Sequence, residues 1–210
     1  MKRVAILGAT GSIGRSALAV VDAHPESVRV VALGAGENAA LLADQVRKYR
    51  PSVAAVSTEA ARRELIDRLG PGAGVTVLAG DEGRRAVATH PEADLVLCAS
   101  SGTSSLEAAL AAIDARKTLA LANKEVLVMA GALMMDAAAR REVAILPVDS
   151  EHNAIHQCLH GRAPSDVSRI LLTASGGPFR GWTEPQLPKV TAADALRHPT
   201  WRMEIGRAHV

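Results

Sequence analysis

The sequence predicts an α/β fold: a doubly wound parallel sheet, followed by the opening of a second, α+β domain. Three observations carry this reading. Seven short Val/Ile/Leu/Ala runs alternate with longer amphipathic stretches, the pattern of parallel strands covered by helices on both faces. The first run ends directly on a glycine-rich turn, "GATGSIG". The 210 residues are 48% hydrophobic and 22% charged, enough for one core of useful size and part of another.

In order, "RVAILG" (3–8) is the first strand and feeds the glycine turn. The runs "VRVVALG" (28–34), "SVAAVS" (52–57), "VTVLAG" (75–80), "DLVLCAS" (94–100), "TLALAN" (118–123) and "VAILPVD" (143–149) follow, and the segments between them read as helices. The first domain is expected over residues 1–146. From Pro147 to Met203 the pattern changes to one helix, a strand at "SRILLTAS" (168–175), a Gly/Pro-rich turn at "GGPFRGWTEPQLP" and a short helix near "TAADALRH".

Composition excludes several classes. With 24 basic and 22 acidic residues and a net charge of +2, interspersed along the chain, neither nucleic acid nor a membrane surface is expected as a partner. The apolar stretch after the charged start is too short for a signal peptide and runs into glycines. No run approaches the roughly 18 apolar residues of a membrane span. Cys98 and Cys158 lie far apart with no metal-type spacing, so buried, reduced thiols and a cytoplasmic location are expected.

Glycines at Gly8, Gly11 and Gly14 follow a strand and open a helix. That context suits dinucleotide binding: the turn is tight, and the amides and dipole of the new helix, from Thr10, Ser12 and Ile13 onward, can hold a pyrophosphate. The alternative is a packing role alone. The second strand ends at Gly36, Glu37 and Asn38, where a Rossmann-type fold meets the adenosine ribose. An acid there favours the free 2′-hydroxyl of NAD; alternatively Glu37 faces solvent while Asn38 caps the next helix.

Asp149 and Glu151 flank Ser150 where the last apolar run stops. At i and i+2 of an extended backbone both carboxylates face one side, at the edge where doubly wound sheets bind ligands. Hard oxygen donors suit Mg²⁺ or Mn²⁺. The plainer reading is a helix start, with Ser150 as cap and Glu151 favouring the dipole. His152 and His156 stand four apart on that helix, a spacing that zinc enzymes use, without the glutamate of HExxH; an exposed helix face is the competing reading.

Four stretches, "LGATGSIG", "LANKEVLV" (121–128), "LPVDSEHNAI" (146–155) and "ILLTASGGPF" (170–179), followed by "HPTWRM", resemble in order the signatures of the 1-deoxy-D-xylulose 5-phosphate reductoisomerase family. The resemblance implies a Rossmann-type NADP-binding domain, residues 1–146, and the start of a catalytic domain, residues 147–203. The implied activity is the NADPH- and metal-dependent conversion of 1-deoxy-D-xylulose 5-phosphate to 2-C-methyl-D-erythritol 4-phosphate in non-mevalonate isoprenoid biosynthesis. The resemblance also implies Mg²⁺ or Mn²⁺ as the metal and a homodimer for the full-length enzyme. By the same resemblance Asp149 and Glu151 bind metal, with Lys124 beside them as a catalytic group on the substrate. Asn123 and Glu125 serve the cofactor together with Gly8, Thr10, Gly11, Ser12, Ile13, Gly14, Gly36, Glu37 and Asn38; the plainer reading of "NKE" is a helix start with Asn123 as cap and a solvated Lys124–Glu125 pair. Ser150, Glu151, Ser175, His198 and Trp201 contact the phosphorylated sugar.

Two departures stand out. His156 occupies a position where the family usually has an aromatic. After Met203 the family continues into a further catalytic segment with the third acidic metal ligand and a helical C-terminal domain, whereas this chain reads "EIGRAHV". One back-translation of those residues contains the short-read sequencing adapter AGATCGGAAGAGCACACGTC, so residues 204–210 are expected to be a non-native tail and the fragment itself inactive. Two rival functions remain at this stage. One is another Rossmann aldehyde or semialdehyde dehydrogenase, which lacks a catalytic cysteine or Tyr-Lys pair here; the other is a cofactor-binding module without catalysis.

Overall fold

A computed structural model describes residues 1–173 and 177–197. The chain divides into two compact units, the first Met1–Asp149 and the second beginning at Ser150.

The first unit alternates strand and helix: β1 (Lys2–Leu7), α1 (Ser12–Ala23), β2 (Val28–Gly34), α2 (Ala39–Tyr49), β3 (Val53–Val56), α3 (Glu59–Leu69), β4 (Thr76–Ala79), α4 (Gly80–Ala88), β5 (Leu95–Cys98), α5 (Leu106–Asp114), β6 (Thr118–Leu121), α6 (Lys124–Arg141) and β7 (Ile145–Pro147). The seven strands form one sheet in the order β4-β3-β2-β1-β5-β6-β7, and every neighbouring pair is parallel. The chain starts in the middle, winds outward through β2, β3 and β4, then returns to β1 and winds the other way. The order therefore reverses at β1/β5, where doubly wound sheets open a ligand crevice beyond their carboxyl ends.

Alternation along the strands builds two cores. Ala5, Leu7, Val96, Leu119 and Leu121 pack on one face with residues of α4, α5 and α6. Ile6, Leu33, Leu97 and Ala120 pack on the other with residues of α2 and α3 and Leu18 of α1. A bulge in the β1–β2 pairing, where Val4 opposes Val30 but Ala5 opposes Ala32, skips Val31. That shift explains why Val31 and Ala32, adjacent in sequence, both belong to the first core. At the amino edge the Arg3 backbone N–H and guanidinium both donate to Asp94, tying β1 to β5. These bonds hold the Asp94 carboxyl well below the usual carboxylate range.

The second unit contains α7 (Ser150–Leu159), short 3₁₀ turns and α8 (Ala192–Ala195), capped by the Thr191 hydroxyl. None of these elements has a buried residue among those described. The strand expected at "SRILLTAS" does not form over its described part: residues 168–173 have no regular structure, and Ile170, Leu171 and Leu172 are exposed. A strand needs a neighbour to satisfy its backbone, and the described sheet ends at β7. Cys98 is buried as expected, but Cys158 is exposed. No described helix is long and apolar enough to cross a membrane.

Candidate active site

The turn after β1 is built by glycines with different duties. Gly8 has φ +87°, and a Cβ there would lie 2.5 Å from the Ala99 carbonyl oxygen at the end of β5. A Cβ on Gly14 would sit 2.2 Å from the Gly8 carbonyl oxygen. Neither position admits another residue without moving backbone. The loop is pinned by the Gly8 and Ala9 N–H groups, which both donate to the Gly34 carbonyl at the end of β2, and by Gly11 N–H donating to Gly8. The N-cap Gly11 offers α1 no side-chain bond, and its first turn contains no acid. The positive end of α1, with Ser12 and Ile13 exposed beside it, keeps its N–H groups for an anion.

A residue the sequence reading missed locks this loop from behind. Gln45, buried on the inner face of α2 among Leu42, Ala43 and Val46, donates from Nε2 to the Ala9 carbonyl at 2.9 Å. The available signal was a lone polar residue at a core-facing helical position, which does not by itself name its partner. Beyond β2, Gly36, Glu37 and Asn38 are all exposed. Asn38 Oδ1 accepts from Leu41 N–H and caps α2, the role the sequence offered for it, and Glu37 faces solvent.

The third contributor follows β5 and β6. Asn123, 2% exposed, caps α6 by accepting from Val126 N–H through Oδ1. Its Nδ2 lies 2.6 Å from the Ser100 carbonyl, 2.7 Å from that of Gly102 and 2.9 Å from Ser105 Oγ. The side chain is thus spent on holding the 100–105 loop against the start of α6, which places Lys124 and Glu125 in the first turn of that helix. Burial pushes the neighbouring Cys98 thiol up from its ordinary pKa, so it stays protonated.

Lys124 Nζ donates to Asp149 Oδ2 at 2.8 Å, bridging the end of β6 to the end of β7. The Lys124 side chain is 42% exposed and that of Asp149 17%. The ammonium therefore reaches water while the carboxylate is largely enclosed, facing a cation. Glu151 follows a different geometry from the one expected. β7 stops at Pro147 and α7 starts at Ser150, so the backbone is not extended through Glu151. Asp149 occupies the cap position and Glu151 the first helical turn, with Ser150 Oγ 3.2 Å from Glu151 Oε2. Ser150 is the first helical residue, not the cap. Among the described residues no three His, Cys, Asp or Glu side chains cluster as a complete metal site. Ser175, His198 and Trp201 lie outside the described residues.

The family model described as 1-deoxy-D-xylulose 5-phosphate reductoisomerase matches residues 4–131, and its C-terminal domain model matches residues 145–207. The chain belongs to the 1-deoxy-D-xylulose 5-phosphate reductoisomerase family. A reductoisomerase of Anaeromyxobacter dehalogenans is 53% identical over 203 residues, which are 97% of this chain and 52% of the relative. One of Protochlamydia amoebophila is 50% identical over the same lengths. Among solved structures, a reductoisomerase in complex with NADPH, fosmidomycin and magnesium superposes with a TM-score of 0.83 at 36% identity, covering 97% of this chain and 52% of the other. The Zymomonas mobilis reductoisomerase in complex with NADPH gives 0.83 at 40% identity, covering 94% and 52%. The chain spans about half the length of the curated relatives it matches.

Proposed function

We propose that this chain forms the NADPH-binding half and the opening of the catalytic domain of a reductoisomerase. That enzyme converts 1-deoxy-D-xylulose 5-phosphate to 2-C-methyl-D-erythritol 4-phosphate, acts as a homodimer and uses Mg²⁺ or Mn²⁺. The observation that carries this reading is the Lys124–Asp149 pair, set on the same carboxyl edge of the sheet as the glycine loop at the β1/β5 reversal.

Within this reading the loop from Gly8 to Gly14, with Thr10, Ser12 and Ile13, holds the cofactor pyrophosphate through N–H groups. Gly36, Glu37 and Asn38 border the adenosine ribose, and Asn123 and Glu125 border the nicotinamide half. Asp149 and Glu151 supply hard oxygen donors suited to Mg²⁺ or Mn²⁺, and the enclosed Asp149 carboxylate with its salt-bridge partner fits a site arranged around cations. When bound, the metal supplies Lewis-acid polarisation of chelated substrate oxygens, and NADPH supplies the hydride. Lys124 aims a solvent-reaching ammonium at the place where oxygens of the phosphorylated sugar gain negative charge. Ser150 and Glu151 face the sugar, and Ser175, His198 and Trp201 serve its phosphate and cover.

The test is a chimera. Residues 1–203 are joined to the remaining half of the Anaeromyxobacter dehalogenans relative, and NADPH oxidation is followed with 1-deoxy-D-xylulose 5-phosphate and Mg²⁺. Turnover is expected, and Asp149→Asn should remove at least about 100-fold of it, in line with the loss of a ligand-shell group, while leaving NADPH binding in place. Turnover unchanged by Asp149→Asn would refute the assignment.

A further inference from the structure

Helix α7 carries an imidazole at every fourth position of one stripe: His152, His156 and, one residue past its end, His160. Residues four apart on a helix are surface neighbours. All three histidines are exposed. The rings of His156 and His160 have centroids 6.1 Å apart and planes inclined at 53°. Past Leu159 the chain closes in a turn, with His160 N–H donating to the Gln157 carbonyl, Arg162 N–H to that of Leu159, and Gly161 at φ +73°.

Simple geometry decides what two such rings can do. A divalent first-row ion lies about 2.0–2.1 Å from an imidazole nitrogen, which is itself about 1.2 Å from the ring centre; two rings sharing one ion therefore stand about 6.5 Å apart when opposite each other across it, and about 4.6–5.3 Å apart at square-planar or tetrahedral angles. The observed 6.1 Å is about 1 Å wider than the tetrahedral separation. Rotating two exposed side chains about their own torsions closes the remaining distance without moving the helix. Cys158, two residues from each, points to the opposite side of the helix, so the donor set is two imidazoles completed by water. The carboxyl end of α7 adds a dipole that favours a cation.

We propose that His156 and His160 form a two-imidazole chelate for a borderline first-row divalent ion. It should be tightest for Cu²⁺, with Ni²⁺ and Zn²⁺ weaker, and indifferent to Mg²⁺ because a nitrogen-only donor set does not suit a hard cation. The bound ion clips the last turn of α7. This inference needs only α7 and is independent of the proposed reaction.

The experiment titrates the untagged 210-residue chain with Cu²⁺ alone, read by electron paramagnetic resonance and calorimetry. The expected result is a site with two imidazole nitrogens that excess Mg²⁺ does not displace, and slowed hydrogen exchange over residues 156–160. His156→Gln and His160→Gln should each weaken Cu²⁺ binding at least 10-fold, and the double variant should lose the two-nitrogen signal. His152→Gln should change affinity less than twofold. These are exposed substitutions, and far-UV circular dichroism of each variant checks that helix content is retained. Wild-type affinity in the double variant overturns the proposal. So does a pattern in which His152→Gln weakens binding and His160→Gln does not, because the chelate would then be the other i, i+4 pair.

Discussion

Asn123 is the point at which the fold and the site can be perturbed separately. Its Oδ1 caps α6 while its Nδ2 serves three acceptors of the 100–105 loop. Asn123→Ala removes both functions. Losing the cap costs about 1 kcal/mol, and stranding the loop acceptors, two of them partly reachable by water, costs about 1–3 kcal/mol more. The sum is about 2–4 kcal/mol. Asn123→Asp has the same shape and keeps a favoured capping oxygen, but presents a carboxylate to two carbonyl oxygens. It should therefore cost about 1–3 kcal/mol through the loop alone. The assay is urea unfolding of the first unit's transition. With a slope of about 1–3 kcal/mol/M, Asn123→Ala should lower the midpoint by roughly 1–2 M and Asn123→Asp by about half as much. Hydrogen exchange adds the location: residues 100–105 should lose protection in both variants, and the first turn of α6 only in Asn123→Ala. Wild-type stability in Asn123→Asp would refute the reasoning, because it would mean the three Nδ2 contacts hold nothing.

Other perturbations follow from the same geometry. His90 is 5% exposed, its Nε2 lies 2.7 Å from Ser52 Oγ, and its Nδ1 has no partner among the described residues. Burial pushes its pKa below the ordinary 6.5, with Lys117 acting the same way and Glu92 opposing. The unfolded chain therefore binds a proton near pH 6.5 that the folded chain refuses, so this contribution is complete above pH 6.5 and lost as pH falls toward the lower folded value. His90→Gln should flatten the drop in urea midpoint between pH 7.5 and 5.5; an unchanged slope would count against a buried neutral ring. Gly14→Ala should destabilise by about 1–3 kcal/mol and weaken NADPH binding, since its Cβ meets backbone. Gly36→Ala, with open space around the added carbon, should stay within about 0.5 kcal/mol of wild type in thermal melts. Glu37→Lys should raise the preference for NADPH over NADH about 10-fold, worth about 1.4 kcal/mol, in binding titrations; an unchanged ratio would place the side chain away from the 2′-phosphate.

All seven strands of the sheet were legible because a strand covered on both faces is written as a short apolar run, whichever neighbours it acquires. The glycine turn was legible because its need is backbone-local: Gly8 requires positive φ and Gly14 requires the absence of a side chain. What escaped depends on contacts between distant parts of the chain. Gln45 reaches Ala9 across 36 residues, and Asn123 reaches Ser100 across 23; neither spacing has a local signature. Glu151 was misplaced geometrically for another reason. The two-residue period of a strand does not carry past β7, because the helical pattern of "SEHNAIHQCL" starts at Ser150 itself. The strand expected at 168–175 does not form over its described residues, 168–173, because apolar, β-branched composition announces only that a segment fits a sheet, and no strand stands beside it among the described residues.

Two buried amides explain how turns made of glycine, serine and threonine form a defined edge. Gln45 grips the glycine loop through Ala9, and Asn123 grips the 100–105 loop, while Gly8 is pressed against Ala99 at the root of that second loop. The two loops are thus coupled by close backbone contact at β1/β5, with an amide side chain behind each. Asn123, by serving two carbonyls at once, constrains direction as well as distance, which hydrophobic packing alone would not do for a segment made of glycine, serine and threonine. The Lys124–Asp149 pair inherits this order, because Lys124 follows directly on the Asn123 cap. Loosening Asn123 should therefore shift the ammonium before it shifts the sheet, and the carboxyl edge at β1/β5 should lose definition at a denaturant concentration where the two hydrophobic cores remain intact.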